Sequence, residues 1–490
     1  MHLNLITDPW IPVRLRSGDR RVIAPWQIAD PDIAFPDWPR PDLNVACLEL
    51  LIGLVFMADP PAHEEEWQDR ERPDPDRLKA RLAPFAPAFN LLGDGKRFLQ
   101  DLEPLEGAPN SPDMLFIDSA GANTVRNNAD LMVWRGRYGD LALPLAAMAL
   151  YTFQSFAPSG GAGNRTSMRG GGPMVTLIDP GQGLWPLIWA NVPDGRPADT
   201  DHLPWMRPTR VSNKAQQVFP EQSHPVEAFF GMPRRVRLVG DDTVTGVIQR
   251  PYGTNYAGWM HPLSPYYRQK VGAEWLPKHP RPGAFGYRHW LGVIAAQPET
   301  DATLTRRAQM VRLWGQRSGH RPAQVLVAGW SMDNMKPRDF ILAAPPLVSP
   351  DGAAQRCLIG MIEAADLMSL ALRASLGPVL AEGEAREAVR EAFYAHTEAL
   401  FQQLATGLTA VNTAQTATDW LAEMRRVALD LFERRALSGL SEQDAKRQQQ
   451  IVAAHGRLRA NLSGYGTYGR KAYEALELPL PPTRKKEVSA

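Results

Sequence analysis

The stretch QRCLIGMIEAADLMSLALRAS, Gln355–Ser375, repeats apolar residues at intervals of three and four. Residues at this spacing lie on one face of a helix, so the pattern predicts an amphipathic helix. Its apolar stripe would consist of Leu358, Met361, Ala365, Met368 and Leu372. The same spacing recurs in three further segments, Glu382–Gly407, Thr416–Leu437 and Glu442–Ser463. Four such helices with short connections predict a four-helix bundle.

The bundle differs from the rest of the chain in its proline content. The chain has 490 residues and 44 prolines, which are plentiful in about the first 350 residues and scarce from Gly352 to Leu478. A chain of this length usually holds two or more domains, and the change in composition marks a boundary. We therefore predict an α+β protein, with a large mixed α/β domain over residues 1–352 and an all-α four-helix bundle over residues 353–490.

Apolar runs and alternation predict the elements of the mixed domain. The predicted strands are Leu3–Leu15, Arg21–Ala24, Met174–Ile178, Leu187–Ala190 and Gln324–Trp330. The predicted helices are Leu43–Ala58, Arg77–Leu92 and Leu141–Phe156. The charged run Ala62–Asp76 is predicted to be an exposed loop.

Two glycine clusters lie close together in SGGAGNRTSMRGGGP, Ser159–Pro173. Glycine permits positive φ and close approach of another chain, at an entropic cost. Arg165 and Arg169 lie between the clusters, and arginines among exposed backbone N–H groups suit an anion such as a phosphodiester. The alternative is a surface loop that only needs tight turns between a helix and a strand.

The segment SMDNMKPRD, Ser331–Asp339, follows a predicted apolar strand. Asparagine can hydrogen-bond to base edges, and methionine can wedge between stacked bases. The alternative is an ordinary turn stabilised by the asparagine side chain. Another polar loop, Asn123–Asp140, contains a short apolar group, which either packs on the core or contacts a partner.

Bulk composition excludes some classes of protein. The formal net charge is +1, so any contact with nucleic acid needs local patches or an assembly that supplies further charge. Cys47 and Cys357 have neither metal-site nor disulfide spacing, which fits a reducing cytoplasm. The N-terminal residues lack a signal pattern and no 18-residue apolar run occurs, so we expect no membrane partner.

No familiar catalytic motif occurs in the sequence: GxxxxGK[ST], HExxH, GxSxG and paired CxxC are all missing. His261 and His279 have no carboxylate cluster nearby in sequence, and GYGTYG, Gly464–Gly469, follows a helix rather than a strand. We therefore predict no catalytic residues, no metal and no cofactor. A phosphate- or nucleotide-dependent enzyme that uses the loop Gly160–Gly172 is the alternative.

Several motifs occur in one order along the chain: LITDPWIPV, RFLQD, SGGAGNRTSMRGGGP, GWMHPLSPYY, GWSMDNMKPRD and YGTYGRKAYEAL. Together they resemble the CasA family, the large subunit of the type I-E CRISPR RNA-guided surveillance complex Cascade. The resemblance covers nearly the whole chain. It implies a non-enzymatic subunit that recognises the protospacer-adjacent motif in duplex DNA, helps to open the strands and recruits a helicase–nuclease. Its partners would be the other Cascade subunits, CRISPR RNA and target DNA.

The resemblance also implies roles for individual residues. A glycine loop against the minor groove corresponds to Gly161, Ala162 and Gly163, where some relatives have three consecutive glycines. A wedge between the strands corresponds to Asp333, Asn334, Met335 and Lys336, where some relatives have a glutamine. A basic finger corresponds to Arg250. A loop that anchors the subunit near the RNA 5′ end corresponds to Leu131, Met132 and Val133. A pure scaffold, whose loops only dock other subunits, is the remaining alternative.

Overall fold

The computed structural model describes residues 3–482, apart from 129, 131, 132, 162 and 296–299. The chain divides into two compact units. Unit 1 comprises Met1–Ala284 and Leu304–Pro345, and unit 2 comprises Phe285–Thr303 and Pro346–Ala490. The internal segment Phe285–Thr303 therefore groups with the helical part of the chain.

Unit 1 contains both strands and helices. The described strands are β1 Ile11–Leu15, β2 Arg20–Ile23, β3 Ile33–Pro36, β4 Leu141–Ala142, β5 Val175–Asp179, β6 Arg235–Gly240, β7 Thr243–Arg250, β8 Tyr266–Tyr267, β9 Leu276–Pro277, β10 Thr305–Arg306, β11 Gln324–Asp333 and β12 Lys336–Ala343. They form antiparallel three-stranded sheets in the orders β2-β1-β3, β4-β7-β6, β10-β8-β9 and β12-β11-β5.

Unit 1 has one apolar core helix, α1, among its described helices. In chain order they are α1 Pro41–Ala58, α2 Glu64–Asp69, α3 Pro75–Leu82, α4 Ala122–Arg126, α5 Leu143–Phe156, α6 Leu184–Ala190, α7 Glu227–Phe230 and α8 Gln309–Ser318. Helix α1 has the length and mean hydropathy (1.7) of a membrane-crossing helix, but 89% of it is buried inside the fold. It packs against α5, α6 and α7, as a core helix does.

Four of the predicted elements of unit 1 differ from the structure. The predicted strand Leu3–Leu15 is a strand only over β1, Ile11–Leu15. Leu187–Ala190 belongs to the helix α6, not to a strand. Nearly every residue of α6 is buried, so the apolar run carries no periodicity to separate a helix from a strand. The predicted helix Arg77–Leu92 ends at Leu82, because prolines follow and cannot extend it. The charged run Ala62–Asp76 contains α2, which buries Trp67.

Strand β11 extends three residues beyond its predicted end at Trp330, to Asp333. A two-residue turn then leads into β12, with Asp333 paired to Lys336. The segment Ser331–Asp339 is therefore the end of a β-hairpin rather than an irregular loop.

Unit 2 is helical, which confirms the predicted fold class. Its described helices are α9 Gly352–Ser375, α10 Glu384–Thr406, α11 Thr413–Ala436, α12 Ala445–Leu462 and α13 Gly466–Ala475. The predicted stripe of α9 is buried along its whole length. Tyr287, from the internal segment, stacks on Phe401 of α10 with ring centroids 4.2 Å apart. Helices α9 to α12 match the four predicted helices, and α13 is the short last helix.

Candidate nucleic-acid interface

The tip of the β11–β12 hairpin is a two-residue turn in a left-handed conformation. Asn334 has φ +49° and Met335 has φ +64°. Hairpin turns of this kind favour Asn followed by Gly, because both central residues need positive φ. Asparagine tolerates the conformation, whereas methionine pays a steric cost of roughly 1–2 kcal/mol. The second turn position therefore holds a large side chain where glycine would be more stable.

The side chains at this tip face solvent. Met335 is 49% exposed, and Asp333, Asn334 and Lys336 are exposed as well. Asn334 Nδ2 donates to Asp333 Oδ1 at 3.1 Å, and Arg338 pairs with the other Asp333 oxygen at 2.6 Å. Lys336 has no ion-pair partner among the described residues. The tip thus offers a thioether, an amide and a free ammonium group.

The first glycine cluster of the loop is open to solvent. Gly161 has φ +66°, and a Cβ atom there would meet nothing within 4 Å. The turn is closed by two backbone hydrogen bonds, from Gly160 N to Asn164 O (3.2 Å) and from Asn164 N to Gly161 O (2.8 Å). Ala162, part of the predicted site, lies outside the described residues.

Gly163 is held by a residue that sequence reasoning did not place in the site. Tyr252 N donates to Gly163 O at 2.9 Å, and a Cβ atom at residue 163 would lie 2.5 Å from the Tyr252 ring. Tyr252 itself has φ +66°. Only glycine therefore fits at residue 163, because the ring occupies the space of any side chain. The PYG sequence around Tyr252 indicates a turn but not this contact.

The second glycine cluster, Gly170–Gly172, packs against the hairpin. A Cβ atom at residue 171 would lie 2.7 Å from Pro158 Cα and 3.4 Å from the sulfur of Met335. A Cβ atom at residue 172 would lie 2.4 Å from the carbonyl oxygen of Trp330 in β11. The structure therefore brings the start of the loop, its second glycine cluster and the exposed hairpin tip together.

The two arginines of the loop do not face an open anion site, which corrects the expectation drawn from their spacing. Arg169 is buried and forms a two-pronged ion pair with Glu49 of α1, at 2.6 and 3.0 Å. Arg165 donates to the side chain and the backbone of Ser212, at 2.9 and 3.0 Å. Arg169 fastens the loop to the core, and Arg165 fastens it to a neighbouring turn.

Arg250 ends β7 and is exposed. Its guanidinium carbon lies 3.5 Å from the position of a Cβ atom at Gly107, and no carboxylate among the described residues pairs with it. Because Tyr252 follows two residues later and contacts Gly163, the chain runs from Arg250 directly to the first glycine cluster.

The apolar group of the loop Asn123–Asp140 is only partly described. Leu131 and Met132 lie outside the described residues. Val133 is half-buried and donates its N–H to Asp130 O at 3.0 Å. The next residue, Trp134, is 81% exposed, although it was not among the predicted site residues. Among the described residues, no three His, Cys, Asp or Glu side chains come together as a metal site.

The fold and its loops define a CRISPR-associated protein. Residues 4–431 match the family of CRISPR-associated protein Cse1. The chain belongs to that family, also called CasA, which confirms the resemblance drawn from the motifs.

Solved structures share the fold over almost the whole chain. Cse1 from Acidimicrobium ferrooxidans is 21% identical with a TM-score of 0.69, covering 97% of this chain and 99% of that one. CasA (Cse1) from Thermus thermophilus is 17% identical with a TM-score of 0.74, covering 96% and 99%. A chain of a CRISPR RNA-guided surveillance complex is 15% identical with a TM-score of 0.67, covering 94% and 99%.

Proposed function

We propose that this protein is the non-catalytic large subunit of an RNA-guided CRISPR interference complex, and that it recognises a protospacer-adjacent motif in duplex DNA. Family membership supports the assignment, as does the likeness to a chain of a CRISPR RNA-guided surveillance complex. One observation carries the DNA-reading role. The solvent-facing Met335, in a backbone conformation that disfavours it, adjoins the glycine loop at Gly171.

The two features suit different parts of a double helix. The minor groove offers little sequence code, so a bare backbone at Gly161–Gly163 reads its width and approaches it closely. A methionine wedge between base steps unstacks them at a cost of a few kcal/mol, which contacts with the opened DNA offset. Lys336 and Arg250 supply charge for the phosphates. Pairing with the guide RNA supplies the remaining specificity.

The partners follow from this role. They are the other subunits of the complex, its CRISPR RNA, the target DNA and a recruited helicase–nuclease, and the complex acts in the cytoplasm. The exposed Trp134 extends the loop Leu131–Val133 as an apolar contact for the assembly. A net charge of +1 is sufficient, because neighbouring subunits share the electrostatic work. The subunit needs no cofactor, since it binds and positions DNA and catalyses no reaction on it.

The wedge is tested with the double variant Asn334→Gly, Met335→Gly in the reconstituted complex. Glycine is favoured at both turn positions, so the hairpin is retained while both side chains are removed. We expect affinity for duplex targets to fall about tenfold or more, since strand opening loses its wedge. Affinity for targets whose strands are already separated should stay unchanged.

The matched control is Leu342→Ala. Leu342 lies on β12 of the same hairpin and is 51% exposed, close to the 49% of Met335. This variant removes a similar apolar side chain away from the tip and should leave both affinities unchanged. Equal loss on duplex and opened targets in the glycine variant would contradict the wedge role. Undisturbed duplex binding together with defective assembly of the complex would favour the scaffold alternative.

A further inference from the structure

Arg234 is a buried arginine beneath the glycine loop. It immediately precedes β6 and is 4% exposed. Its guanidinium carbon lies 4.9 Å from the centre of the Phe153 ring of α5. Nη2 donates to the carbonyl oxygen of Pro158, and Nε has no hydrogen-bond partner among the described residues. The group is thus enclosed by an aromatic face and by the backbone that opens the loop.

No carboxylate neutralises this charge. No acidic side chain of the described chain forms an ion pair with Arg234, whereas the equally buried Arg169 and Arg317 pair with Glu49 and Asp194. Burial lowers the pKa of Arg234 to about 10, and no acidic neighbour opposes that effect. Arg234 therefore remains charged at neutral pH. A buried charge without a partner costs stability, so its retention calls for a ligand or a function.

The guanidinium of Arg234 reaches the loop surface at Gly160. A Cβ atom at residue 160 would lie 2.9 Å from Nη1 of Arg234, so any larger residue would crowd the guanidinium. Gly160 itself is exposed. Across the described part of the loop, the N–H groups of Gly161 and Gly163 have no acceptor. Successive backbone N–H groups in such turns make concave sites for anions.

We propose that Arg234 and the backbone N–H groups of Gly161 and Gly163 form a site for one backbone phosphate of the target DNA. The inference rests on the proposed function and names the cation of the glycine loop. The phosphate supplies the negative charge that Arg234 lacks within the described chain, and the loop N–H groups donate hydrogen bonds to its oxygens. Because the cation lies in an apolar surrounding, water and salt screen it less than they screen a surface lysine.

The test is Arg234→Met in the reconstituted complex, measured as duplex affinity over a salt series. Methionine replaces the buried stem with an apolar chain and removes the charge. We expect about tenfold weaker binding at low salt, and a slope of log affinity against log salt that is smaller by about 1, as for one lost phosphate contact. The melting temperature should stay equal or rise, because a buried unpaired charge is removed. Arg234→Lys, which keeps the charge, should retain the wild-type slope.

The matched control is Arg237→Met. Arg237 lies on β6 three residues later, and its guanidinium donates to different partners, Gly95 O and Asp101 O. This variant removes an equal charge and should leave the salt slope unchanged.

Each outcome bears on the inference. An unchanged slope for Arg234→Met, with duplex binding weakened in the hairpin glycine variant, overturns the Arg234 site and leaves the proposed function standing. Unchanged binding in both variants overturns both. A lower melting temperature for Arg234→Met, or a defect in taking up CRISPR RNA rather than DNA, indicates a structural or RNA-binding role and also overturns the site.

Discussion

Gly161 and Gly172, one from each glycine cluster of the loop, have similar backbone conformations and opposite surroundings. A Cβ atom at Gly161 would meet nothing within 4 Å, whereas one at Gly172 would lie 2.4 Å from the backbone of β11. Gly161 is thus free to receive another molecule, whereas the space at Gly172 is filled by the protein itself. At Gly161 the missing side chain allows a partner molecule to approach the backbone, and at Gly172 it allows the fold to pack tightly.

The charges of this region divide in the same way. Arg169, beside the second cluster, is saturated by Glu49, while Arg234, beneath the first, has no carboxylate within the described chain. A buried cation that stabilises the fold is paired with a carboxylate of the same protein. A cation that binds a ligand has no carboxylate partner within the protein, so the ligand can supply the negative charge. The comparison predicts that substitutions at Gly172 and Arg169 act on stability, and that those at Gly161 and Arg234 act on DNA binding.

The largest expected effect belongs to Arg169→Met. The change leaves Glu49 buried without its cation, and breaking such a pair costs about 3–5 kcal/mol of unfolding free energy. Urea denaturation of the purified protein measures it. The double variant Arg169→Met, Glu49→Gln removes the charge that was left behind and should recover part of the loss. A loss below about 1 kcal/mol for the single variant would contradict the structural role of Arg169, because the ion pair would then not hold the loop to the core.

The next largest effect separates two alanine substitutions. Gly172 and Gly161 have similar backbone angles, φ +62° and +66°, so alanine pays a similar conformational cost at both. Only at residue 172 does the new methyl group collide with Trp330 O and Met332 Cε. We expect Gly172→Ala to lose roughly 2–3 kcal/mol more stability than Gly161→Ala. Thermal unfolding of the two variants checks it, and equal losses would show that the backbone, not the packing, sets the requirement for glycine.

The sequence predicts those elements that bury one face. The helices α9 to α12 follow the apolar spacing, because burial on one side imposes a helical period on the sequence. Helix α6 was mistaken for a strand, since it is buried on nearly all sides and has no period to detect.

The candidate site was predictable only in part. The glycines and the Asn-Met pair are visible as unusual local sequence. Which glycine is open depends on Trp330 and Tyr252, which lie elsewhere in the chain and meet the loop only after folding. Arg234 appears in the sequence as one of several basic residues. Its burial and the lack of a carboxylate beside it are tertiary properties that no local pattern records.

A smaller effect is expected from pH at the buried end of the loop. His261 faces Glu49 and Arg169, and burial followed by the Arg169 charge lowers its pKa well below 6.5. The folded protein keeps this histidine neutral, while the unfolded chain takes up a proton as pH falls through about 6.5. Stability therefore falls on acidification, by about 1 kcal/mol between about pH 7 and pH 5.5 for this group.

The histidine effect is measured by urea denaturation at the two pH values. His261→Gln removes the titrating group and should reduce the difference between them. Burial also lowers the pKa of His279. His279 is present in both the wild type and the His261→Gln variant, so its contribution to the pH dependence of stability remains in both and cancels in the comparison. If the loss of stability between the two pH values is the same in His261→Gln as in the wild type, His261 is not the group responsible for it.

The smallest effect has the opposite sign. Met335→Gly relieves the left-handed strain at the hairpin tip and should raise the unfolding free energy by roughly 0.5–1 kcal/mol, after the entropic cost of glycine. Leu342→Ala, at a similarly exposed position with ordinary strand geometry, should give no such gain. A loss of stability in Met335→Gly would mean that the packing of the Met335 sulfur near Gly171 stabilises the fold. The methionine would then have a structural role, like the glycines of the second cluster. A gain in stability together with weaker capture of duplex DNA would show that the protein keeps a strained methionine because its use lies outside the fold.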